Sequence, residues 1–251
     1  MSRTAVDLAV ITALPEELAP LAARFGIEQP LRNTLYQFTT GDHRSLALYC
    51  TGPGKVNGAA GVARLLSQVK PGALIGGGIA GGTGPHGPAD SPRVKPGDLV
   101  IAREVGFYDV DLTAFGAPPG AVHSRAPAEL TATILPDPAT IGVRPAPAPA
   151  SAGCVVTGRV LTGDCFLNDR LLRELPPAWR QRIVASQAVD MESAAWVTVA
   201  DRDNVPWVVL RYISDDITSN ERMPFPVACA AAGAFLSSYS TFFLSHITRC
   251  C

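Results

Sequence analysis

Seven short runs, mostly apolar on both faces, set the terms for what this chain can fold into: residues 8–12, 45–50, 73–75, 99–105, 155–161, 187–189 and 207–213. A strand that hides both faces needs cover on both sides. That cover lies between the runs, where helical patterns fill residues 16–25, 56–69, 169–175, 192–202 and 227–247. Strands alternating with helices over 251 residues predict one α/β domain with helices on both faces of a sheet.

Composition narrows the classes of function. With 47% hydrophobic and 17% charged residues the chain is an ordinary globular sequence and not a disordered one. A net charge of −1 gives no reason to expect nucleic acid or an anionic membrane as partner. No apolar run reaches the ~20 residues of a membrane span. The opening Met-Ser-Arg-Thr-Ala-Val-Asp lacks the apolar stretch of a signal peptide, so a cytoplasmic location is expected. Six cysteines without a C-x-x-C pair and four scattered histidines point to reduced thiols, with no zinc site and no cofactor. Cys250 and Cys251 resemble a prenylation end but lack a polybasic stretch, and an inert terminus is expected. The segments 83–97 and 117–153 are proline-rich, and they are expected to be loop excursions from the single domain.

Acids stand at strand ends. Glu16 and Glu17 follow the first run, Glu192 sits where a short strand hands over to a helix, and Asp215 closes the last run four residues after Arg211. In α/β sheets ligands bind outside the carboxyl ends of strands. An unpaired buried charge is costly. Three such acids with one arginine therefore mark a pocket for a polar, hydroxylated ligand. The glycine-rich 76–82 stretch fits neither a dinucleotide fingerprint nor a P-loop. It is expected to be a turn at a strand exit, serving either a tight bend or close approach of backbone to a ligand.

Several motifs carry a family resemblance: Thr12-Ala13-Leu14-Pro15-Glu16-Glu17-Leu18, Gly78-Ile79-Ala80-Gly81-Gly82, Gly97-Asp98-Leu99-Val100, Tyr108-Asp109-Val110-Asp111-Leu112-Thr113-Ala114-Phe115-Gly116, Thr162-Gly163-Asp164-Cys165-Phe166-Leu167, Val189-Asp190-Met191-Glu192 and Arg211-Tyr212-Ile213-Ser214-Asp215. In this order they resemble the nucleoside phosphorylase/nucleosidase superfamily, and within it most of all the bacterial 5′-methylthioadenosine/S-adenosylhomocysteine nucleosidases. The resemblance implies a three-layer fold on a central mixed, twisted sheet. It implies hydrolysis of a purine nucleoside at its N-glycosidic bond, and a homodimer.

The resemblance also implies roles. Asp215 would protonate the departing base at N7, Glu17 would activate the attacking water, and Arg211 would orient or balance the acids, a plain structural ion pair being its other reading. Glu192 would hold the ribose hydroxyls with Met191 against the sugar. Phe166 would stack on the base, though outside the motif it reads as a core aromatic, and the backbone of Leu167 would read the base edge. Leu14 and Phe225 would form apolar walls beside the Ile79, Ala80 and Gly81 backbone. Leu112 and Phe115 would reach the partner's 5′-pocket. Asp98 and Asp111 are expected to anchor turns.

Two positions depart from the family pattern: Ile79 replaces a small hydroxyl residue, and Asp190 stands where a glutamate is more usual. Three other readings follow. Phosphorolysis would need cations around an oxyanion, and only Lys55 and Arg211 offer themselves. A futalosine-type or specialised nucleoside would keep hydrolysis and change the substrate. A nucleoside-binding relative without turnover would have little need of Glu17.

Overall fold

A computed structural model describes residues 3–83, 94–121, 129–131, 153–219 and 221–246. Most of the 83–97 and 117–153 excursions, and the Cys250 and Cys251 tail, lie outside the described residues. The strands are β1 (Thr4–Thr12), β2 (Leu35–Thr39), β3 (Ser45–Cys50), β4 (Val69–Gly82), β5 (Leu99–Phe107), β6 (Glu129–Thr131), β7 (Val155–Thr162), β8 (Ala188–Asp190) and β9 (Trp207–Asp216). The helices are α1 (Pro15–Ala22), α2 (Lys55–Gln68), α3 (Asp169–Glu174), α4 (Pro177–Val184), α5 (Ser193–Arg202) and α6 (Phe225–His246), with 3₁₀ turns at Ala23–Phe25 and Thr113–Phe115.

The sheet is mixed. β1 pairs in parallel with β3 and β4, and β4 pairs in parallel with β9. β9 runs antiparallel to β5, β5 parallel to β7, and β7 parallel to β8. β8 then returns to the end of β4 in antiparallel register, Gly81 opposite Val189. Five strands thus close on themselves, with β4 shared between the closed part and the open wing β1–β3–β2.

One core layer lies between the sheet and α2 with α5, around Trp196, Trp207 and Leu65. The other lies under α1 and α6, around Leu18, Phe235 and Tyr239. By length and composition Phe225–Ser245 could cross a membrane, yet 61% of its apolar window is buried inside the domain. It packs on α1, β4 and β9 as a core helix.

The 76–82 stretch is not a turn but the second half of a 14-residue strand. Its glycines answer to neighbours. A Cβ on Gly76 would lie 2.8 Å from the Trp196 ring, one on Gly77 2.6 Å from Leu236, and one on Gly78 2.8 Å from the Arg211 guanidinium. The α2 pattern also ends one residue sooner than expected, because Val69 already belongs to β4. Strand β2 and helix α4, both half-exposed, carry apolar signals too weak to stand out in the sequence.

Candidate active site

The carboxyl ends of β1, β4, β8 and β9 surround a cavity of about 190 Å³. Glu17, Glu192 and Asp215 all line it, with Leu14, Ile79, Ala80, Gly81, Phe166, Leu167, Met191 and Phe225. Phe166 is 67% exposed and Phe225 50%, so both stand at the mouth and neither is a core aromatic. Leu112 is half-buried and Phe115 is 77% exposed in the Thr113–Phe115 turn; neither lines the cavity of its own chain.

Glu17 is fixed by backbone. As the third residue of α1 it reaches back to the helix start, where Leu14 N–H donates to Oε2 at 2.9 Å and Ala13 N–H at 3.2 Å. Ile79 N–H donates to Oε1 at 2.9 Å. Its neighbour Glu16 is exposed. Burial raises the Glu17 carboxyl above its ordinary range, against the opposing pull of Arg211 and these three amides. A carboxylate so placed is a stronger base than a surface glutamate.

Arg211 does not reach the cavity. It lies behind the wall with no exposed surface, opposite Gly78 in the β4–β9 ladder. Its Nε sits 2.7 Å from Asp190 Oδ2 and donates to Ser193 Oγ at 3.0 Å. Nη2 donates to Glu192 Oε2 at 3.3 Å, and Nη1 to the Ile79 carbonyl at 3.3 Å. The guanidinium packs over Trp196 at 4.7 Å, the indole N–H of which donates to Thr51 Oγ1 at 3.2 Å. Burial opposes the arginine's charge, but Asp190, Glu192 and Glu17 together hold it on.

Asp190 organises the other side. Its Oδ1 accepts from Thr162 Oγ1 at 2.5 Å and from the backbone amides of Glu192 and Ser193 at 3.3 Å, while Ser193 Oγ donates to Oδ2. It therefore caps the start of α5 and leaves Glu192 at the N-cap position facing the cavity. Gly54 N–H donates to Glu192 Oε1 at 2.9 Å. Burial pushes the Glu192 carboxyl up to about 7, opposed by Arg211 and assisted by Asp190. Such a carboxylate accepts hydroxyl protons well and tolerates a dry site.

A bulge places the third acid. The β4–β9 register slips between Ala80 and Gly81, where Ala80 faces Ile213 and Gly81 faces Asp215. In an unbroken strand Ser214 and Asp215 would point to opposite faces; the extra residue lets both line the cavity. Ser214 Oγ donates to Asp215 Oδ1 at 2.6 Å. Burial raises the Asp215 carboxyl, offset in part by Ser214 and Arg222. It is suited to carry a proton at a pH where a surface aspartate does not.

Sequence reasoning passed over Thr162, Ser193, Trp196, Ser214 and Gly54, and left Asp190 as a mild departure. The Asp190-x-x-Ser193 spacing at a helix start was the available signal. Asp98 and Asp111 anchor turns: Asp98 accepts from Lys95 N–H at 2.9 Å and Cys154 N–H at 2.8 Å, Asp111 from Thr113 N–H at 2.9 Å. Among the described residues no group of His, Cys, Asp and Glu is arranged to hold a metal ion.

Comparison with known proteins gives the family and the fold. A model of the phosphorylase superfamily matches residues 7–240. The 5′-methylthioadenosine/S-adenosylhomocysteine nucleosidase of Geobacillus kaustophilus (strain HTA426) is 36% identical over 211 residues, 82% of this chain and 83% of that protein. The crystal structure of such a nucleosidase from Colwellia psychrerythraea 34H, in complex with adenine, has a TM-score of 0.70 at 24% identity, covering 98% of this chain and 97% of the other. The futalosine hydrolase of Helicobacter pylori strain 26695 has a TM-score of 0.68 at 19% identity, covering 96% of this chain and 98% of that one.

Proposed function

This chain belongs to the phosphorylase superfamily, among the 5′-methylthioadenosine/S-adenosylhomocysteine nucleosidases, and from that premise we propose how it cleaves a 5′-substituted adenine nucleoside to adenine and the free ribose moiety. The observation that carries the reading is the convergence of Glu17, Glu192 and Asp215 on one cavity, each with its carboxyl pushed up by burial.

The bond breaks toward an oxocarbenium-like sugar, so charge must be met at both ends. Asp215 gives a proton to the departing purine and accepts from its 6-amino group. Glu17, oriented by three backbone amides, takes the proton of the attacking water. Glu192 accepts from the ribose hydroxyls with Met191 against the sugar, Phe166 covers the base, and the Leu167 backbone reads its edge. Leu14 and Phe225 form apolar walls. Arg211 acts from behind the wall, holding Glu192 and the Ile79 carbonyl in place.

Water is favoured over phosphate by the state of the cations. Lys55 is tied to Asp109 and Asp164, and Arg211 has no exposed surface. The Glu17 carboxylate would repel a phosphate placed beside it.

The same proposal includes a cytoplasmic homodimer serving methionine salvage, in which the exposed Phe115, with Leu112, completes the 5′-pocket of the partner. The test is purified protein with methylthioadenosine in phosphate-free buffer. Release of free adenine supports the reading. Adenine only with added phosphate, together with ribose 1-phosphate, replaces it with phosphorolysis. Binding without turnover across a panel that includes futalosine-type nucleosides replaces it with a binding role.

A further inference from the structure

Outside the cavity, one cluster of side chains that the reaction itself does not use ties together the segments after β3, β5 and β7. Lys55 begins α2, immediately after Gly54. Its Nζ donates to both carboxylate oxygens of Asp109 at 2.7 Å and lies 3.5 Å from Asp164 Oδ2. Its backbone N–H donates to Asp164 Oδ1 at 2.8 Å, and the Asp164 N–H donates to Asp109 Oδ2 at 3.0 Å. The ammonium also stands 5.7 Å from the centre of the Phe107 ring.

Each end of this cluster leads into the site. Gly54, one residue before Lys55, gives its N–H to Glu192 Oε1. It holds a left-handed backbone (φ 89°), and a Cβ there would meet Asp164 Oδ1 at 3.4 Å. Asp164 is followed by Cys165, Phe166 and Leu167, all of which line the cavity. Asp109 precedes the turn that carries Leu112 and Phe115.

Resting on the nucleosidase reading above, we propose that Lys55 is a positioning residue: through Asp164 and Asp109 it sets the 165–167 loop, which covers the base, at a fixed distance from the Gly54–Glu192 pair that holds the sugar. Tyr108 OH donates to the Cys165 carbonyl at 2.6 Å and Leu167 is buried, but the Phe166 ring between them is 67% exposed and depends on how the loop is set. A loop kept in its bound position lowers the cost of binding without changing the chemical step. Removing the tether should therefore act on substrate binding and leave bond cleavage alone.

Full-length Lys55→Met, Lys55→Arg and wild type are compared by kcat and KM for methylthioadenosine and by alkylation of Cys165 with iodoacetamide, read by peptide mass mapping with and without adenine. Cys165 is exposed and sits in the tethered loop. In Lys55→Met, KM rises about tenfold or more while kcat stays within about threefold. Cys165 alkylates faster and adenine protects it less, and Lys55→Arg recovers most of both effects. Unchanged KM with an unchanged alkylation rate overturns the proposal, as does a loss of kcat at unchanged KM. If Lys55→Met does not fold, Asp164→Ala cuts the same tether and carries the same expectations. If wild type cleaves no nucleoside, the nucleosidase reading has failed, and the Cys165 alkylation rate alone still decides the role of Lys55.

Discussion

Arg211 Nε stands 2.7 Å from Asp190 Oδ2 where the two side chains are 0% and 1% exposed. A buried pair of this kind is favourable only when further hydrogen bonds satisfy both partners. Here Thr162, Ser193 and two backbone amides serve the aspartate, and Ser193, Glu192 and the Ile79 carbonyl serve the arginine. The pair fixes the guanidinium so that its remaining nitrogens face Glu192 and the Ile79 carbonyl of β4. One cation is left to serve three acids, and burial raises the carboxyls of Glu17 and Glu192 despite it.

Glu17→Gln keeps the fold but loses the base. Adenine release should fall by about 10²–10⁴-fold, while adenine still binds. Turnover measured by absorbance and adenine affinity by calorimetry check this; a variant that keeps wild-type turnover removes Glu17 from the mechanism.

Activity should follow a bell in pH. Glu17 must be ionised and Asp215 protonated, and burial raises both carboxyls. The alkaline limb of kcat/KM therefore reports Asp215 and should vanish from the residual activity of Asp215→Asn, itself lower by about 10²–10⁴-fold. An alkaline limb that survives the substitution assigns the proton to another group.

Glu192 ties stability to pH. Its ordinary value is 4.5 and burial pushes it to about 7 in the fold. Below 4.5 both folded and unfolded chains hold the proton. Between the two values only the folded chain does, so stability falls as pH rises through this window and levels off above it. Glu192→Gln lacks this loss. Its melting temperature should gain on wild type from about pH 4.5 to 7, by the equivalent of a few kcal/mol at most. A constant difference across that window counts against the raised carboxyl.

Ile79→Ser restores a hydroxyl beside the cavity. One added hydrogen bond is worth about 0.5–1.5 kcal/mol, so kcat/KM for methylthioadenosine should rise about 2- to 10-fold. Loss of the isoleucine contacts should lower the melting temperature. If kcat/KM falls instead, the isoleucine is itself a wall for the substrate.

Gly78→Ala drives a methyl group into Glu17 and Arg211. Destabilisation of about 1–3 kcal/mol is expected, with activity lost beyond what the unfolded fraction explains. Denaturant melts run beside initial rates separate the two effects.

Much of this was legible in the sequence. The apolar runs mark seven of the nine strands, because two-faced burial leaves a continuous signature. The acids at strand ends mark the pocket. The glycines of 76–82 mislead, since glycine density reads as turn chemistry while its cause here is the bulk of Trp196, Leu236 and Arg211, arriving from more than a hundred residues away. Lys55 reads as a free cation until the fold brings Asp109 and Asp164 to it. Ser214 joins the cavity through a bulge, and no local pattern announces a slip of register between two strands so far apart in the chain.

The closure of five strands on β4 also sets when the site can exist. Gly78 pairs with Arg211 and Gly81 with both Val189 and Asp215, so β8 and β9 join the cavity wall of β4 by contacts spanning more than a hundred residues. Such distant pairings form slowly. A chain still being synthesised has no complete pocket until β9 has emerged, and any fragment ending before Ser214 lacks the wall of Ser214, Asp215, Ile217 and Phe225. Truncation from the carboxyl end should therefore abolish ligand binding in a single step and not by degrees.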